Sequence, residues 1–295
     1  MDDRFTEEEL HSLVLKRRWL FIGFPVIVIL LFFLAWITCY YVLHIDGETI
    51  AGLFSFVGLF LPPFAFLYCL SKYKESVRKT AYFLITQHYN WRLLHSKEDI
   101  SFEKTATEFG LLRENEYIEP QNLFLQGEKD RHTFTLQDIS WMAIRGSQAA
   151  RGPVTKAQYT LLTVPLNDPI PCKILIKKNR LFKWGIKNLE RLKLQDKEFE
   201  KLYDVYTDRP NKTTSLLQRG FIQALVAVCS RHQKGMELII THKKIFVLYN
   251  TGIWGKLFGP VIFRHPRVQC EEIFKEINDM LDILSILSLL ENPRA

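Results

Sequence analysis

The sequence is poor in the close residue spacings that usually announce chemistry. Its eight histidines are His11, His44, His88, His95, His132, His232, His242 and His265, and none forms HxxxH or HExxH, which excludes the zinc-protease pattern. There is no GxSxG nucleophile elbow and no GxxxxGK[ST] phosphate loop. The five cysteines, at positions 39, 69, 172, 229 and 270, are too scattered for a disulfide framework or a zinc site. Cys229 and His232 stand three apart on an expected helix, but the apolar run around Cys229 reads as a buried, inert thiol. No cofactor is expected. With 14 Gly and 12 Pro in 295 residues, long disorder is not expected either.

Charge is missing from two long runs. Residues 19–43, WLFIGFPVIVILLFFLAWITCYYVL, and residues 50–70, IAGLFSFVGLFLPPFAFLYCL, carry none, and each reaches the roughly 20 residues a bilayer requires. The expectation is a transmembrane helical hairpin, kinked at Pro62-Pro63. Lys16, Arg17 and Arg18 precede the first run; Lys72, Lys74, Arg78 and Lys79 follow the second. The connecting HIDGET has Asp46 and Glu48 and no Lys or Arg. Positive flanks stay inside, so both termini are expected in the cytoplasm. A cleaved signal peptide fits poorly, because the apolar core is too long and no small-x-small site follows it.

The remainder reads as an α+β protein. Residues 1–18 form a cytoplasmic tail with a short helix, 19–70 the hairpin, 71–95 a membrane-exit helix, and 96–295 a cytoplasmic antiparallel-sheet domain with flanking helices. In the exit helix Ala81, Leu84, Ile85, His88 and Trp91 share a face, with His88 read as a satisfied core histidine. Two strands flank a turn at GEKD, residues 127–130; QYTLLTVPL and PCKILIKK give two more, and MELIIT with KIFVLYN gives a hairpin. TSLLQRGFIQALVAVCSRH reads as one helix, capped by Thr214 or Ser215, with Leu216, Leu217, Phe221, Leu225 and Val228 on one face. The last helix, CEEIFKEINDMLDILSILSLL, has so thin a polar strip that the domain, lipid or another subunit must cover it.

In DKEFEKLYDVYTDRP the acids Asp196, Glu200, Asp204 and Asp208 recur at every fourth position. Val205, Tyr206 and Thr207 favour extended backbone and Asp208-Arg209-Pro210 signals a turn, so a short helical turn over residues 196–202 is expected to give way to a strand. Phe199, Leu202 and Tyr203 then pack inward. Lys197 and Lys201 balance the acids, which reads as a solvated face rather than a metal or two-carboxylate site.

The same stretch resembles a bacterial two-span membrane family known as a domain of unknown function (DUF-3137). Glu198, Phe199, Glu200, Lys201, Tyr203, Val205, Tyr206, Thr207 and Asp208 match its spxFek-F-VYtxD box, and Leu216 and Leu217 stand near its following helix. Asp208-Arg209 replaces the family's Asp-Gln, and its Leu-Thr-Pro is absent. Gly127 and Phe134 are similar to its upstream hairpin. The resemblance implies a multi-pass protein of the bacterial inner membrane without an established activity, and a LemA-type membrane protein as a partner.

Two basic-aromatic stretches remain. KKNRLFKWGIK holds Lys177, Lys178, Arg180, Lys183, Trp184 and Lys187; GIWGKLFGP holds Trp254 and Lys256. The plainer reading, core aromatics beside solvated lysines, comes first. Contact with lipid headgroups follows, since tryptophan among lysines suits an interface and residues 71–295 carry net +10 against −3 for residues 1–70. Nucleic acid ranks last. The functional expectation is therefore a membrane-tethered, non-catalytic domain that binds the anionic lipid surface or a protein partner. Its rivals are a membrane enzyme using carboxylates such as Asp204 and Asp208, and a structural envelope subunit that assembles through the last helix.

Overall fold

The computed structural model describes residues 7–42, 47–95, 100–145, 152–179, 186, 189–231, 236–250 and 265–291. The chain divides into two compact units: Met1–Leu84 with Gly259–Glu272, and Ile85–Phe258 with Ile273–Ala295.

The first unit is helical. Helix α1 (Glu7–Arg18) continues through a π-helical turn, Trp19–Gly23, into α2 (Phe24–Ile37), and a second π-helical turn covers Thr38–Val42. The stretch His11–Ile37 is long and apolar enough to cross a membrane; its most apolar 18-residue window has a mean hydropathy of 2.9 and is only 6% buried. Helix α3 (Gly47–Tyr89) contains the second apolar run. It passes Pro62-Pro63 without a break in helical assignment, so the expected kink is not an interruption of the helix. Phe66 meets Phe21 and Phe24 at ring separations of 6.3 and 6.2 Å. The residues expected to form a separate exit helix are the last turns of α3. Beyond them, Arg92–His95 is a strand, β1, not helix. Ala81, Leu84 and Ile85 are buried as the periodicity predicts, but His88 is exposed, with its ring 5.5 Å from Phe274.

Among its described residues the second unit has nine antiparallel strands in the order β1-β2-β3-β4-β9-β8-β5-β7-β6. After β1 come β2 (Glu116–Lys129), β3 (His132–Arg145), β4 (Gly152–Pro165), β5 (Ile174–Lys178), β6 (Glu190–Leu192), β7 (Tyr203–Thr207), β8 (Met236–Ile240) and β9 (Lys244–Asn250). The turn between β2 and β3 is Asp130-Arg131, both in the left-handed region at φ 53° and 67°, rather than the GEKD stretch. Gly127 belongs inside β2 for a packing reason. The Trp91 ring lies on it so closely that a Cβ there would stand 2.4 Å from Trp91 Cδ1. Asn90, at φ 56°, ends α3 in a left-handed cap that lets Trp91 N–H donate to Thr86 O at 3.1 Å and aims the ring at the hairpin.

Side chains alternate across the strands. Ile118, Ile139, Leu161, Leu175, Tyr206, Ile239, Phe246 and Leu248 form one apolar face, covered by Phe102 and Ala106 of α4 (Ile100–Glu108) and by Phe109 just past its end. The opposite parity, including Leu162, Ile174, Val205, Leu238 and Val247, is equally buried. On that face Tyr249 donates to Met280 O at 2.6 Å, from α8 (Pro266–Leu281).

Two expected single helices are each broken in two. α6 (Pro210–Leu216) starts at proline, whose fixed φ suits the first helical position, and Leu217 leaves the helix before α7 (Arg219–Arg231). Thr214 and Ser215 therefore cap nothing; their hydroxyls bond back to Pro210 O and Lys212 O inside α6. The last helix divides at Asp282 into α8 and α9 (Ile283–Glu291), and α9 packs on α7. Ile283, Leu284, Ile286, Leu287 and Leu290 are buried within the chain, so the domain itself supplies the cover that the thin polar strip demanded.

Candidate functional site

The helix-then-strand expectation over residues 196–208 holds: α5 (Lys197–Leu202) runs directly into β7. The solvated-face reading of its acids fails at Asp204, which is buried, while Asp208 is exposed. Asp196 is the N-cap, and its Oδ1 accepts from the N–H groups of Glu198 and Phe199 at 3.1 and 3.0 Å. Glu200 turns back, its Oε1 accepting from Leu194 N–H and Gln195 N–H at 3.0 and 3.1 Å. Asp204 is 4% exposed and takes Arg191 Nε at 2.9 Å. Asp208 Oδ1 accepts from Lys173 N–H at 2.7 Å. Each acid accepts a hydrogen bond from the surrounding fold. The carboxylates of Asp204 and Asp208 serve an arginine and a backbone amide separately, which is not the shared geometry a two-carboxylate hydrolase needs. Among the described residues no cluster of metal-ligating side chains exists.

The residues that carry the resemblance build the fold. Phe199 and Tyr203 are buried and stacked at 5.6 Å; Val205 and Tyr206 are buried on opposite faces of β7; Asp208 ties the exit of β7 to Lys173. Burial, reinforced by the Asp204 charge, pushes the Tyr206 hydroxyl up from its ordinary range. Leu202, expected inside, is 42% exposed. Beneath β7, Thr207 and Thr213 share a hydroxyl–hydroxyl bond of 2.6 Å, and Thr213 lies 3.5 Å from Cys172 Sγ. Burial pushes the Cys172 thiol up, with the Thr213 bond offsetting part of the rise, the environment of a structural thiol.

Of the membrane-surface candidates, Lys177 and Lys178 end β5, paired across the strand with Asp204 and Tyr203; Lys177 is half-buried and Lys178 exposed. Asn179 anchors the chain leaving β5, its N–H on Leu202 O at 2.7 Å and its Nδ2 on Glu200 O at 2.9 Å. Arg180, Lys183, Trp184, Lys187, Trp254 and Lys256 lie outside the described residues.

Sequence reading missed Arg191, because its pairing with Asp204 depends on β6 lying beside β7. It also missed a buried ion pair in the β2–β3–β4 layer. Glu116, its side chain 4% exposed, pairs with Lys156 and accepts from Trp141 Nε1 at 3.0 Å. Burial alone would raise this carboxyl, but the hydrogen bonds from Lys156, Trp141 and Arg113 N–H outweigh it and hold the group below its ordinary range. No short motif foretells a contact set by register across three strands.

No curated protein matches this chain. It is similar to the crystal structure of the mycobacterial trehalose monomycolate transport factor A, TtfA, at 8% identity and a TM-score of 0.41, over 72% of this chain and 95% of that one, a level of likeness that carries no argument. The family comparison starts after the Gly127–Phe134 hairpin, so that part of the resemblance falls outside it. Residues 160–289 match the family model described as Protein of unknown function (DUF3137), so this segment of the chain is similar to that family.

Proposed function

We propose that this is a membrane-tethered, non-catalytic protein. Residues 19–43 and 50–70 cross the inner membrane as a hairpin with both termini cytoplasmic, and the sheet domain works at the inner leaflet, on anionic lipid or on a protein partner held there. The observation that carries the reading is the unburied apolar helix His11–Ile37. Trp19 opens the uncharged run 19–43; toward its other end Trp36 stacks on Tyr40 at 5.7 Å and Tyr40 meets Tyr41 at 4.9 Å. Twenty-two residues of helical rise separate Trp19 from Tyr41, roughly 33 Å, close to the thickness of a hydrocarbon core bounded by aromatic belts. The ring contacts of Phe66 with Phe21 and Phe24 favour the second run as the returning span. On the domain side, the structural employment of all four acids of the 196–208 stretch favours binding over catalysis.

Topology is tested by a reporter fused after Ala295, which should be active only in the cytoplasm; periplasmic activity would overturn the orientation. Surface contact is tested on the full chain in nanodiscs of brominated anionic lipid. Quenching should include a component that Trp184→Phe removes, and its absence would remove the KKNRLFKWGIK stretch from the interface.

A further inference from the structure

In the sequence, Lys197 and Lys201 appear cancelled by the acids around them. The fold separates the two signs. Asp196 and Glu200 are turned onto backbone amides and Asp204 onto Arg191, while Lys178, Lys193, Lys197 and Lys201 are exposed and make no ion pair among the described residues. The four lysines come to one end of the sheet. Lys178 closes β5 opposite Tyr203, the first residue of β7. Leu192 pairs with Val205, which sets Lys193 just past the end of β6 on the other flank of β7. Lys197 and Lys201 are one turn apart on α5, the helix that feeds β7. Among the described residues the exposed acid at this end is Glu198; Glu190 sits opposite Thr207, at the far end of β7. Beside Lys201, Leu202 stands 42% exposed.

We infer that this end of the sheet is a docking face for an anionic phospholipid surface, with Lys178, Lys193, Lys197 and Lys201 against the headgroups and Leu202 entering between them. The inference rests on the tethered reading above and adds to it Lys193, together with Lys197 and Lys201, the two lysines that the sequence had assigned to charge balance. Lipid suits the chemistry. Long lysine stems can reach phosphates while an apolar side chain sits lower, and each lysine near an anionic leaflet favours contact by a factor of about five. The tether keeps that weak, additive attraction from being diluted.

The test uses the full chain in nanodiscs, one set rich in phosphatidylglycerol and one of phosphatidylcholine alone, with lysine acetylation rates read by mass spectrometry. Lys104 and Lys243 are exposed references, Lys243 lying at the opposite end of the sheet, beyond Ile240 of β8. The four patch lysines should be acetylated about fivefold more slowly in the anionic discs, the difference vanishing near 1 M salt while the references stay constant. Lys197→Glu/Lys201→Glu should return Lys178 and Lys193 to the rates seen in phosphatidylcholine. Equal rates in both discs, with the chain still migrating with the disc, would overturn the docking face and leave the tether standing; a chain that elutes free of discs would overturn the tether. Protection that is the same in both lipids and survives salt would mean a protein occupant, and would also overturn the inference.

Discussion

Helices α2 and α9 are both strongly apolar, and their sequences call for the same thing: a partner surface without water. They find it in different places. Ile29 and Leu30 of α2 are 66% and 60% exposed, whereas Leu284 and Leu287 of α9 are fully buried against their own chain. Apolarity states that a helix needs cover; it does not state who supplies it. The same division runs through the charged groups. Asp204 is enclosed and paired, while Lys201, three residues earlier, is exposed.

The sharpest way to break this comparison is to shorten one leucine in each helix. Leu287→Ala should cost the domain about 3 kcal/mol, the price of a buried cavity, while Leu30→Ala should leave domain unfolding unchanged. Chaotrope unfolding of the detergent-solubilised full chain, followed by near-ultraviolet circular dichroism, reads both; equal losses would mean that α2 is also a core element. The charged version comes next. Arg191→Ala removes the cation from the enclosed Asp204 and should cost about 2 kcal/mol, less than for a fully buried pair because the arginine is itself about one-third exposed. Lys201→Ala should stay within about 0.5 kcal/mol. A neutral Arg191→Ala would show that water reaches Asp204.

What the sequence made legible follows from range. The α5-to-β7 switch, the β8–β9 hairpin and the strand content were readable because β-branched residues, Pro210 and alternation act over a few positions. The breaks at Leu217 and Asp282 were not, since unbroken apolar periodicity runs through both. The fates of the four acids were equally hidden. Their spacing suggested one stripe, yet Asp204 is claimed by an arginine thirteen residues upstream and Asp208 by an amide thirty-five residues upstream, through pairings of β5, β6 and β7. Gly127 was noticed as a hairpin residue, but its reason, the Trp91 ring above it, comes from the cap that ends α3.

That contact gives a mid-sized prediction about packing. Gly127→Ala should cost about 1 to 3 kcal/mol, because the new methyl meets an aromatic ring already fixed by its Nε1–H bond to Glu128 O at 3.3 Å. The double variant Gly127→Ala/Trp91→Leu should cost less than the sum of the single changes, since the clash requires both partners. Strict additivity would mean that the β2–β3 hairpin shifts to make room.

The smallest effect concerns an enclosed acid, Glu116, and appears only with pH. Its carboxyl is held below the ordinary range, so the folded state binds its proton less readily than the unfolded chain does. The stabilisation is therefore complete above the unfolded value, about pH 4.3, and is lost as pH falls through the lower folded value. Glu116→Gln should flatten the decline of domain stability below about pH 4.3, and Lys156→Met should weaken it, because Lys156 is the strongest of the bonds that lower this group. Melting curves at closely spaced acidic pH values would resolve the slope. If the wild type and Glu116→Gln lost stability in parallel, the carboxylate would be open to solvent and would belong with Lys201, on the uncovered side of the comparison.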